Sequence, residues 1–190
     1  MRIALAACFC VIAPLLSAGC RTERENARGV NVVIEEPGTF PAALAGRWRA
    51  DRDGWEFVFA ADGRVVSAVL GLGRVEITPG HSVTLPTRSG GESVFEPGEW
   101  IVHYVPQSRQ LTVNITLEHV RIDMAGTILE GNSTDVFSGA IAPADGVWQV
   151  QWTAFSHYTV QAPGRPTQEL STDETYGETK ALTFRKVPEE

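Results

Sequence analysis

Four histidines, His81, His103, His119 and His157, are the residues best suited to hold a metal or act as a base. A zinc site needs three or four ligands converging at about 2.0–2.2 Å. If residues 100–105 and 111–122 pair as a hairpin, His103 faces Val113, and His119 lies roughly six residues of register away. At ~3.3 Å per residue that separation prevents shared ligation. His157 falls on the polar face of its run and His81 in a turn, so all four read as surface histidines and no metal is expected. Carboxylates gather at Asp51 and Asp53 and again at Asp173, Glu174 and Glu178, but both groups sit among turn residues that water solvates. Acid–base work would need one of them buried enough to raise its pKa. No serine occupies a Gly-x-Ser-x-Gly elbow, and Gly71-Leu72-Gly73 is not followed by the helix that a phosphate loop requires. No catalytic constellation results, and no cofactor is called for. Five tryptophans remain: Trp48, Trp55, Trp100, Trp148 and Trp152 either line an apolar ligand cavity or fill a core.

Sulfur chemistry is confined to the start of the chain. Of three cysteines in 190 residues, Cys8 and Cys10 lie within an apolar leader and Cys20 at its end. The leader opens on Arg2, runs apolar over residues 3–16 and closes on small residues, the pattern of a secretory signal. At 1.5 Å per residue the apolar run makes roughly 21 Å of helix, short of the ~30 Å hydrocarbon core. A net charge of −7, with 16 basic against 23 acidic residues, argues against nucleic acid, because no basic excess exists to release counterions.

Leu16-Ser17-Ala18-Gly19-Cys20 resembles the lipobox of bacterial lipoprotein precursors. The resemblance implies that Cys20 is alkylated with diacylglycerol, that residues 1–19 are cut away, and that the new amino end is acylated. One acyl chain binds a bilayer marginally, whereas two or more hold it stably, so the product is a permanent membrane anchor. Arg21 stands where an aspartate would retain such proteins in the inner membrane. That implies the outer membrane, facing the periplasm, with the inner membrane or the cell surface as alternatives. The mature chain then has no free thiol for catalysis, metal binding or a disulfide.

The elements that must position any site are strands. Residues 20–39 read as the lipidated cysteine and a solvated tether, in which 30–34 is either a short strand packed on the body or an apolar part of the tether, and residues 40–190 as one β domain. Trp55, Phe57 and Phe59 alternate with less apolar neighbours, and Asp62-Gly63 turns that run into a hairpin. Pro97-Gly98 closes a weak strand before the long hairpin of 100–105 and 111–122. In its second arm the apolar phase slips after Leu117 to Val120, which predicts a β-bulge near Glu118-His119. Strands follow at 127–129, 136–141 and 147–160, then a polar loop over 163–180 and a last strand from 181. Turns every ten or so residues predict an all-β meander closing into a barrel, with a two-sheet sandwich as the alternative.

Gly46-Arg47-Trp48, just ahead of the aromatic hairpin, resembles the opening motif of lipocalin-like (calycin) barrels. There the tryptophan plugs the floor beneath a cavity for small apolar ligands. The expectation is a non-enzymatic, lipid-anchored envelope barrel that binds an apolar small molecule. A structural module docking an envelope protein is the alternative, and a hydrolase stands third.

Overall fold

The computed structural model describes residues 23–25, 29–71, 74–172 and 178–188, so Cys20 and the leader lie outside the described residues. The chain is all-β. Among the described residues thirteen strands follow in order: β1 (Glu23–Glu25), β2 (Val30–Ile34), β3 (Gly46–Ala50), β4 (Glu56–Phe59), β5 (Val65–Val69), β6 (Glu76–Ile77), β7 (Val83–Pro86), β8 (Glu92–Val105), β9 (Gln110–Met124), β10 (Thr127–Ala142), β11 (Val147–Gln161), β12 (Gln168–Ser171) and β13 (Glu178–Lys186). A single 3-10 turn, Ala42–Leu44, follows Pro41, whose fixed φ suits the start of a helical turn.

Hydrogen bonds join the strands in the order β1-β2-β8-β9-β10-β11-β13-β3-β4-β5-β6, with β7 beside β8 and β12 beside β11. The expected simple meander is corrected at two places. β2 runs parallel to β8, and the C-terminal β13 inserts between β11 and β3. The four long strands β8 to β11 form the meander itself.

Closure is corrected as well: the sheet is a strongly curled, open half-barrel. Its last strand, β6, is two residues long, and the opposite end of the path is taken by β1. So short an edge offers almost no backbone groups for a closing ladder. The curl is nonetheless tight. β4 lies four places from β10 along the path, yet the Phe57 and Phe137 rings meet edge-to-face at 4.9 Å, as do Trp55 and Phe137. The concave face is therefore packed against itself, around fully buried Trp48, Trp100, Trp148, Phe57, Phe137 and Phe184.

Two irregularities produce that curl on the β8–β10 side. The register of β10 on β9 shifts between Gly131 and Ser133, opposite Glu118-His119, where the phase slip predicts a bulge. β8 continues through Pro97-Gly98 as one strand, with its register broken there, rather than ending as expected. A proline cannot donate to a ladder, and a bulge is the one interior position that tolerates it. Gly131 allows β10 to approach β11 so closely that a Cβ would collide with the His157 carbonyl. The polar loop expected over 163–180 also gives way, in part, to β12 and to the first residues of β13.

Candidate functional site

Strand parity builds a polar-tipped cavity at the end of the curled sheet. On β10, Ser133, Asp135 and Phe137 are all buried, so the two polar residues share the inner face with the core phenylalanine. On β11 the same parity carries Trp152, Ala154, Ser156 and Tyr158 inward. Leu117 and Val120 of β9, Phe95 of β8, Trp55 and Leu70 complete a cavity of about 420 Å³. That volume falls within the ~300–1,000 Å³ typical of small-molecule sites. Asp53, Glu178 and Lys180 stand at its solvent-exposed mouth.

Asp135 is the unusual member. It is 7% exposed, and its Oδ1 accepts the Trp152 indole N–H at 2.8 Å. Burial pushes its carboxyl up to about 6, against which the indole hydrogen bond is a minor offset. Beside it the Tyr158 phenol is pushed up, chiefly by burial and further by the Asp135 charge, while the Ser133 hydroxyl opposes the shift. At the mouth Lys180 sits 3.0 Å from Glu178 and 4.0 Å from Asp53, with its Nζ 5.2 Å above the ring of Trp152, its cross-strand neighbour.

A second buried carboxylate lies on the other face. Glu56 of β4 is 3% exposed and receives Arg49 Nε at 2.9 Å, Arg47 Nη1 at 3.1 Å and Arg74 Nη2 at 3.4 Å. Arg49 is its direct partner across the β3–β4 ladder. Burial raises the Glu56 carboxyl, but the hydrogen bonds and charges of Arg49 and Arg47 outweigh it and hold the group below its usual range.

The five tryptophans divide. Trp55 and Trp152 line the cavity, whereas Trp48, Trp100 and Trp148 are wholly buried. Each of those three satisfies its indole N–H on a backbone carbonyl, of Leu44, Thr116 and Gly139 respectively. The histidines lie apart and pair locally. His81 meets the Pro79 carbonyl, His103 meets Glu35, His119 meets Glu130 and Glu96, and His157 meets Ser171. The hairpin sets His103 against Thr112, one residue from the expected Val113. Asp51 accepts the Thr183 amide, Glu178 and Asp53 flank Lys180, and Asp173 and Glu174 lie outside the described residues.

Asp135 escapes a reading of residue types, because the apolar run beside it begins only at Val136. The signal is parity: Ser133, Asp135 and Phe137 recur at period two, in phase with the core rather than with Val136. No family model, curated protein or solved structure matches this chain.

Proposed function

We propose that this chain is a lipid-anchored, non-enzymatic envelope protein that holds a small apolar molecule in the cavity of its curled sheet. The observation that carries the reading is the cavity itself, walled by Trp55, Leu70, Phe95, Leu117, Val120 and Trp152 beside the fully buried Trp48, Trp100 and Trp148. The leader and Cys20 support an anchor in the outer membrane facing the periplasm, with the acyl chains as the contact to the bilayer.

Both halves can be tested separately. Titrating the purified, delipidated protein with a panel of long-chain alcohols, long-chain amines and retinoid-like probes should quench tryptophan emission, since two indoles line the cavity. Silence across such a panel overturns ligand binding and leaves a module that docks an envelope protein. Cys20→Ser should release the protein from the membrane fraction; a variant that stays membrane-bound overturns the anchor.

A further inference from the structure

Asp135 is a buried carboxylate on the wall of an otherwise largely apolar cavity. One of its oxygens takes the Trp152 indole at 2.8 Å, and among the described residues the other accepts no hydrogen bond. A purely apolar ligand gains nothing from such a group, because burying an ionised carboxylate without a partner is costly. We propose that the cavity selects an apolar molecule carrying a protonated amine, whose ammonium seats against Asp135. The proposal rests on the cavity being a binding site at all.

Three features of the cavity favour a cation over a neutral or acidic head group. First, strand parity turns the carboxylate inward, on the same face as Phe137 and opposite the solvent. Second, the cationic side chain lining the cavity, Lys180, is already engaged at the mouth by Glu178 and Asp53. Third, among the described residues the charged groups around the space are three carboxylates, Asp53, Asp135 and Glu178, against that one ammonium. Such a balance draws cations in and repels carboxylates. The rings of Trp55, Phe95 and Tyr158 add faces that attract the carbons and hydrogens flanking an ammonium.

Binding must then depend on pH in a definite direction. The ammonium pairs with the ionised form of Asp135, whose carboxyl burial holds at about 6. Among the described residues, the other titratable groups facing it are the Tyr158 phenol on β11, Glu178 and Lys180 on β13, and Asp53 in the turn before β4. β8 and β9 contribute Phe95, Leu117 and Val120, which do not titrate. Affinity for an amine should rise as pH climbs through about 6 and level off above it. A carboxylic acid should behave in the opposite sense, since it avoids a second negative charge by binding when Asp135 is protonated.

The test uses three probes of one shape, octylamine, 1-octanol and octanoate, titrated into the full mature chain while tryptophan emission is read. At about pH 7.5 octylamine should bind at least tenfold more tightly than octanol, the scale of one charge-assisted hydrogen bond, and octanoate most weakly. The amine advantage should shrink to near unity at about pH 4.5. Asp135→Asn, whose amide oxygen still accepts the Trp152 N–H, should abolish the amine preference at all pH values. Equal binding of amine and alcohol by the wild-type chain, or a preference that survives Asp135→Asn, overturns the ammonium site while the apolar cavity stands. Binding by none of the three probes overturns the cavity reading itself, and the ammonium site with it.

Discussion

Glu56 and Asp135 are two carboxylates almost closed to solvent, Glu56 under arginine side chains near the surface and Asp135 deep within the concave face, and their surroundings could hardly differ more. Glu56 lies on the outer face of β4 beneath the stems of Arg47, Arg49 and Arg74, so its charge is answered threefold. Asp135 lies on the inner face of β10 with, among the described residues, a single indole N–H. Burial raises both carboxyls; only at Glu56 do the neighbours overcome it. A buried charge supplied with partners by its own chain ties strands together. One left short of partners is a place for something else to bind, and the fold is less stable for keeping it.

That contrast can be broken by exchanging each carboxylate for its amide. Asp135→Asn removes a charge the fold does not compensate. Raising a carboxyl from 3.8 to about 6 corresponds to about 3 kcal/mol, so urea melts at about pH 8 should show stabilisation of up to that amount. At about pH 4 the native carboxyl is already neutral and the variant should gain nothing. Destabilisation of similar size at both pH values would mean that Asp135 is paired as well as Glu56 is. Glu56→Gln should act in the other sense and cost about 2 kcal/mol near neutral pH, the worth of charged hydrogen bonds.

The wild-type pH profile sharpens the same comparison. Asp135 has a folded pKa above its unfolded one, so its contribution is most favourable below about 4 and is lost as pH rises to about 6. Glu56 has a folded pKa below its unfolded one, so its contribution is present above the ordinary carboxyl value of about 4.5 and is lost as pH falls beneath it. Stability should therefore decline between about pH 4.5 and 6, and Asp135→Asn should flatten that limb alone. A limb that persists in Asp135→Asn assigns it to another group.

Smallest are the arginines. Arg49→Ala removes the shortest bond and the cross-strand partner of Glu56, and should cost about 1 kcal/mol in thermal or urea melts. Arg74 reaches Glu56 at 3.4 Å with 72% of its side chain in solvent, and Arg74→Ala should cost less than about 0.5 kcal/mol. Equal losses would show that the three arginines act as one network rather than as one strong pair with outlying support.

Much of this architecture can be read before any coordinate. Alternation assigns Leu111, Val113, Ile115 and Leu117 to one buried face, and the slip to Val120 places the bulge opposite Gly131–Ser133. Asp62-Gly63 turns β4 into β5, with Gly63 in the left-handed region that the turn requires. The parallel pairing of β2 with β8 and the place of β13 between β11 and β3 are not legible. They join segments that share no turn, and no local pattern encodes which distant edge a strand will meet. The tryptophans show the same limit. All five alternate inward, and nothing in their neighbours along the chain separates Trp148, sealed in the core, from Trp152 at the cavity.

Residue alternation and turn chemistry thus specify strands, faces and bends, because each depends on neighbours a few positions away. Whether a face ends up filled or hollow, and whether a carboxylate there finds an arginine or only an indole, depends on which faces the curled sheet brings together. Glu56 and Asp135 differ for that reason: the sheet sets one against its ladder partner Arg49 near the surface and turns the other inward to a cavity.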